Sequence, residues 1–235
     1  MRERPKTFGK QVKGEVTMFR AAEALTLFPT HVWVFDLETD EFEPINTRIM
    51  EQVTERLPDI AELSQTYALQ SETNIHEDDY LSILNKYILT AGKNICDGLN
   101  LQCNDLTITG CWLNIGKPGC VHKEHSHPNN FLSAVYYVNA DPGANSITFS
   151  DPRPQASVIL PKMDRPAASL ANSVTLETTP GRLLIFPAWL RHSVRENESA
   201  ELRVSIAYNM LLDTSFDELA APLFRGDFSL TKEDA

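Results

Sequence analysis

The feature that most limits the fold is a change of hydrophobic period near Leu106. From there on, LTITGCWLNI, LSAVYYVNA, SITFSD, SVTLETT, GRLLIFPAW, HSVRE and LRVSIAYNML are short segments rich in β-branched and aromatic residues. Turn signals divide them, among them Lys117-Pro118-Gly119, Asp141-Pro142-Gly143 and Thr179-Pro180-Gly181. Strands this short and this closely spaced predict an antiparallel sandwich or barrel, and they leave no room for βαβ crossovers. The stretch from Arg153 to Ala171, rich in Pro, Ala and Ser, reads as a long loop between two strands.

Ahead of the strands the period is helical. A strand-like segment, Leu25 to Leu37, is followed by Asn46 to Leu57, where Ile49, Val53 and Leu57 recur at i, i+4 and i+8. A second helix is predicted from Asp78 to Asp97, with Leu81, Leu84, Ile88 and Leu89 at helical spacing. Gly92 is a candidate interruption and Gly98 a candidate stop. The expected organisation is one domain over 1–235. An N-terminal strand and supporting helices fill 1–104, the β core 105–212, and a tail 213–235.

Charge and composition narrow the partners. Acidic residues outnumber basic ones 32 to 21, a net charge of −11, which sets the surface against a phosphate backbone. No apolar run reaches the length of a membrane span. The N-terminal MRERPKTFGKQVKGE is basic without an apolar stretch behind it, so it reads as a loose tail rather than a signal peptide. Cys96, Cys103, Cys111 and Cys120 form no CxxC pair and read as buried thiols of a cytoplasmic protein.

Chemistry concentrates in the histidines. Three of the six fall in GCVHKEHSHPNN, as His122, His125 and His127, in what reads as a loop before the apolar strand Phe131 to Val138. Residues i and i+2 of an extended segment project to one side, so His125 and His127 can aim two imidazoles at one point. A metal is the usual reason to gather neutral imidazoles, and a His-rich surface loop is the plain alternative. His192 follows the buried-looking strand GRLLIFPAWLR and needs a partner or a ligand there, a backbone hydrogen bond being the alternative.

Farther on, strict alternation sets Arg203, Ser205, Ala207 and Asn209 on one face of a strand, with Leu202, Val204, Ile206 and Tyr208 on the other. A buried guanidinium fork suits a carboxylate held bidentately, with the Ser205 hydroxyl beside it. An internal Arg–Glu or Arg–Asp pair is the competing account. Asp151 and Arg153 of SDPRP mark either the mouth of a pocket or a local turn with its own ion pair.

His-x-His, His192 sixty-five positions later and Arg-x-Ser eleven after that resemble the iron(II)/2-oxoglutarate-dependent dioxygenase superfamily. HSHP-x₃-LSAVYYV, ITFSDPRP, PGRLLIFPAWLRHSV and RVSIAYN, with an early LFPT-x-VW segment at Leu27 to Trp33, resemble more narrowly a group of uncharacterised bacterial and phage oxygenases of that superfamily. The resemblance implies a mainly β protein with N-terminal helices, built on a double-stranded β-helix (a jelly roll, cupin-like). It implies Fe(II) on His125, His127 and His192, with 2-oxoglutarate as cosubstrate and O2 as oxidant. The distal carboxylate of 2-oxoglutarate would lie on Arg203 and Ser205, with Asn114 and Tyr137 further cosubstrate contacts and Trp112 on the cavity wall. Substrate hydroxylation would release succinate and CO2.

One position departs from the superfamily pattern of His-x-Asp or His-x-Glu, since His125-Ser126-His127 carries no carboxylate. His122-Lys123-Glu124 offers a second register that restores one. Two other functions stay open: a three-histidine cupin dioxygenase or isomerase that needs no 2-oxo acid, and a metal-binding sensor without turnover. The expected partners are a small-molecule or peptide substrate and, at most, a second copy of the chain in a homodimer. Nucleic acid and membrane are not among them.

Overall fold

The computed structural model describes residues 26–55, 68–101, 103, 105–153, 155, 158–159, 162, 164 and 167–213. The predicted tails at 1–15 and beyond 213, Leu25, and Leu57 of the first helix lie outside them. Residues up to His31 and those from Val32 onward form separate units, and everything below concerns the second.

Two antiparallel sheets make up the β core. The larger contains β1 (Trp33–Asp36), β2 (Leu69–Gln70), β3 (Asp105–Gly116), β5 (Leu132–Asn139), β8 (Arg182–Pro187) and β10 (Arg203–Asp213), in the order β1-β8-β5-β10-β3-β2. The smaller contains β4 (His122–His125), β6 (Ser146–Ser150), β7 (Ser173–Glu177) and β9 (His192–Val194), in the order β4-β9-β6-β7. The jelly-roll reading holds. Every segment predicted as a strand from Leu106 on is one: the first grows by a residue at each end, the last runs on to Asp213, and the others are trimmed by a few residues. The strand expected from Leu25 is confined to Trp33–Asp36 among the described residues.

Two helices cover the outer face of the larger sheet. In α1 (Thr39–Glu55), Ile45, Ile49 and Val53 are buried four residues apart. The helix begins seven residues before the predicted Asn46 and accommodates Pro44 within it. In α2 (Ser82–Gly98), Leu84, Ile88, Ala91 and Ile95 form the apolar stripe. The predicted start at Asp78 is instead a 3₁₀ turn, Asp79–Leu81. Gly92 does not interrupt α2: a Cβ there would lie 2.6 Å from Leu106 Cδ1, so the glycine lets helix and strand approach. The left-handed residue after the helix is Asn100, at φ 56°, rather than Gly98.

The alternation along β10 sorts its residues between two layers. Val204, Ile206, Tyr208 and Met210 pack with the helices and with Cys111, Leu113 and Ile115 of β3. Helix asparagines satisfy the tyrosine hydroxyls buried in this layer: Tyr136 donates to Asn46 Oδ1 at 2.7 Å and Tyr208 to Asn85 Oδ1 at 3.0 Å. The other face of the sheet meets the smaller sheet through Tyr137, Ile147, Phe149, Leu184 and Phe186. Between the sheets lies the site. All four cysteines are buried free thiols.

Candidate metal and cosubstrate site

A cavity between the sheets is lined by His122, His125, His127 and His192, and opposite them by Trp112, Asn114, Tyr137, Arg203, Ser205 and Ala207. Gln70 closes one side from β2. The structure therefore brings His125, His127, His192, Asn114, Tyr137, Arg203 and Ser205 to one chamber, and leaves Glu124, Asp151 and Arg153 out of its lining.

The run His122–His125, expected as loop, is strand β4. It pairs with β9 so that His125 faces His192 and His122 faces Val194. Three steps along β4 match two along β9, which is a β-bulge. In a regular strand, residues three apart project to opposite faces. The bulge removes that mismatch and turns both His122 and His125 inward. His127 lies just past the strand, its amide donating to Ala188 O at 2.8 Å and its ring 5.7 Å from that of Trp112.

Backbone oxygens orient two of the rings. His125 Nδ1 lies 2.7 Å from Lys123 O and His192 Nδ1 lies 2.9 Å from Leu190 O. A carbonyl can only accept, so each Nδ1 carries the proton and each Nε2 keeps its lone pair. Nε2 of His127 lies 3.4 Å from Nε2 of His192. One ligand atom each from His125, His127 and His192 fall within 4.8 Å of one another. Burial pushes His127 and His192 down to about 4, and His192 is only 5% exposed. Burial does the same to His122, with Arg203 adding to it. Three imidazoles converging on one point, two of them kept uncharged by burial, are a donor set that a borderline divalent metal takes, and Fe(II) fits it.

The alternative register meets a different environment. Glu124 accepts from Arg191 Nε at 2.8 Å and from the Ser150 hydroxyl, and those contacts hold its carboxyl below the usual range, Ser150 contributing most. It does not line the cavity.

Arg203 sits at the opposite end, 5% exposed. Nη1 donates to Arg195 O at 3.1 Å, and among the described residues no carboxylate pairs with it. The internal ion pair weighed for this arginine is therefore not found there. Burial lowers its pKa. Gly116 lies directly across, and a Cβ there would stand 3.2 Å from Nη2, so the glycine makes room for the guanidinium. The Tyr137 hydroxyl is buried with no hydrogen-bond partner among the described residues, and burial raises its pKa. Asn114 Oδ1 accepts from Gln70 Nε2 at 2.9 Å, which leaves the Asn114 amide hydrogens for a ligand. Asp151 and Arg153 form a local turn with their own ion pair at 2.8 Å, away from the cavity lining.

Two lining residues escaped sequence reasoning. Gln70 belongs to a two-residue strand, too short to carry a period, and no local signal marks it. His122 was visible only as an alternative ligand, since its inward aim depends on the bulge.

Residues 110–209, the span that holds the three histidines and Arg203, match a family model described as "Putative 2OG-Fe(II) oxygenase". Over that span, somewhat under half of the chain, the protein resembles the 2-oxoglutarate/Fe(II) oxygenase family. The cofactors of the family, Fe(II), 2-oxoglutarate and O2, are those the histidine cluster and the unpaired arginine fit. Solved structures resemble this chain in fold. AviO1 from Streptomyces viridochromogenes Tue57 aligns with a TM-score of 0.57 at 11% identity, over 82% of this chain and 93% of the other. The non-heme alpha-ketoglutarate-dependent epimerase SnoN from nogalamycin biosynthesis gives 0.56 at 13%, over 87% and 90%. A prolyl hydroxylase from Trichoplax adhaerens, solved with a hypoxia inducible factor peptide fragment, gives 0.52 at 13%, over 77% and 84%. No curated protein matches the sequence. No described helix is long and apolar enough to cross a membrane.

Proposed function

We propose that this oxygenase hydroxylates a small molecule or a peptide, with His125, His127 and His192 as the iron ligands and 2-oxoglutarate held between them and Arg203. The observation that carries the reading is the buried guanidinium without a carboxylate partner among the described residues, facing a three-histidine cluster across one cavity. Removing a guanidinium from water without a partner is costly, so a site that keeps one is built for an anion to come. A three-histidine enzyme that needed no 2-oxo acid would use this arginine only for an anionic substrate.

Bound to the three rings, Fe(II) supplies the activation of O2 that couples decarboxylation of 2-oxoglutarate to oxidation of the substrate. The chain's residues do the positioning. Lys123 O and Leu190 O fix the tautomers of His125 and His192, keeping both Nε2 atoms as ligands. Arg203 grips the distal carboxylate, and the Tyr137 and Ser205 hydroxyls and the Asn114 amide supply neutral donors beside it. Trp112, Val135 and Phe186 keep the reacting volume apolar. Three neutral ligands leave the metal its full double charge, which the dianionic cosubstrate offsets. The net charge of −11 argues against nucleic acid as substrate.

Succinate release, screened under Fe(II) and O2 against a library of metabolites and peptides, tests the reading. Substrate-stimulated succinate with a hydroxylated product supports it, and a product gaining no oxygen atom would replace hydroxylation by another oxidation.

A further inference from the structure

The β4/β9 ladder has two rungs on the cavity wall. One joins His125 to His192, two of the three ligand rings. The other joins His122 to Val194, and the carbonyl of the next residue, Arg195, holds the Arg203 guanidinium. Two residues of extended chain separate the rungs along β9, roughly 7 Å. One end of the ladder is thus the metal end and the other the anion end, and His122 lies at the latter.

The His122 ring is turned into the cavity with Arg203, Ser205 and the Tyr137 hydroxyl, which has no partner among the described residues. A β-bulge brings it there against the ordinary alternation of the strand. It is too far along β4 to join the cluster formed by His125, His127 and His192. From this placement we infer that His122 is a positioning residue for the cosubstrate, donating a ring N–H to the distal carboxylate beside Arg203 and so selecting a dicarboxylic 2-oxo acid over a monocarboxylic one. The inference rests on the proposed placement of 2-oxoglutarate between the histidines and Arg203. It adds the residue that reads the acid's second charge from the smaller sheet, while Arg203 and Tyr137 read it from the larger.

The test compares two acids sharing the chelating end: 2-oxoglutarate, and 2-oxopentanoate, which lacks the distal carboxylate. Each is titrated anaerobically into the Fe(II)-loaded protein, and its dissociation constant is read from the visible charge-transfer absorption. Fe(II) affinity is measured separately by equilibrium dialysis, and folding by melting temperature. His122→Phe keeps a flat ring without the donor. It should weaken 2-oxoglutarate about tenfold, about 1.4 kcal/mol, while leaving 2-oxopentanoate and Fe(II) binding unchanged. His122→Gln restores an N–H donor and should recover most of the loss. If the phenylalanine variant does not fold, His122→Ala carries the same comparison. Equal weakening of both acids, or of neither, overturns the role of His122. A wild-type protein that binds Fe(II) but gives no complex with either acid overturns the cosubstrate reading beneath it.

Discussion

His127 and His192 face each other through Nε2 atoms 3.4 Å apart, with rings 23° from parallel. With the Nδ1 proton of His192 committed to Leu190 O, two lone pairs cannot remain at this distance without a cation or a proton between them. Fe(II) binding and 2-oxoglutarate turnover should therefore both disappear in His192→Ala. The apo protein should melt within a few degrees of wild type, since the ring contributes to the ligand set more than to packing. Wild-type turnover at saturating iron would show that His192 is no ligand.

Arg203 presents a planar fork to the cavity. Arg203→Lys keeps the charge and loses the paired donors, so KM for 2-oxoglutarate should rise by roughly tenfold or more at about 1.4 kcal/mol per decade. Gly116→Ala should act in the same direction without altering any charge, because the new Cβ would press on Nη2 from 3.2 Å. Fe(II) affinity should be unchanged in both. Steady-state kinetics with iron titrations decide the matter, and an unaltered KM in a folded lysine variant would detach Arg203 from the cosubstrate.

Glu124 gives a sharp test of the ligand register. Its carboxylate is engaged by Arg191 and Ser150, so Glu124→Gln should leave Fe(II) affinity within about twofold of wild type. A loss of a hundredfold or more would move the metal to the His122–Glu124 pair.

The apo protein should lose stability on mild acidification. His122, His127 and His192 stand at about 4 when folded, burial being the main cause, against about 6.5 when unfolded. Above 6.5 both states hold these rings neutral and nothing is lost. As the pH falls from 6.5 towards 4, the unfolded chain takes up protons that the fold refuses, and stability drops. The carboxylates of Asp36, Glu124 and Asp151 are lowered as well, so their contribution is also lost on acidification, but only below the histidine window. Urea midpoints at pH 7 and pH 5 should differ for the wild type, and by less for His192→Ala. Equal wild-type midpoints would show that the rings accept protons in place.

Much of this was legible from residue order because period-2 alternation survives folding. Arg203, Ser205 and Ala207 reach the cavity, while Val204, Ile206 and Tyr208 reach the helix-covered layer. His125, His127 and His192 were legible because three imidazoles have few other reasons to converge. What stayed hidden depends on partners distant in sequence. The inward aim of His122 follows from the register of β4 against β9, and the contribution of Gln70 from a two-residue pairing with Asn114. Gly92 reads locally as a break, but the close approach of Leu106 decides its use.

The acceptors that orient His125 and His192 are main-chain oxygens, of Lys123 and Leu190. No side-chain replacement at those two positions deletes a carbonyl. Surface charge on β4 is therefore free to drift, at Lys123 for example, while the imidazoles keep their aim. Length is the vulnerable quantity instead. A single-residue insertion or deletion in the bulge would displace the Lys123 oxygen from its ring and undo the ligand geometry with every histidine still present. A relative could thus keep every motif residue and lose its metal through one codon gained or lost between His122 and His125.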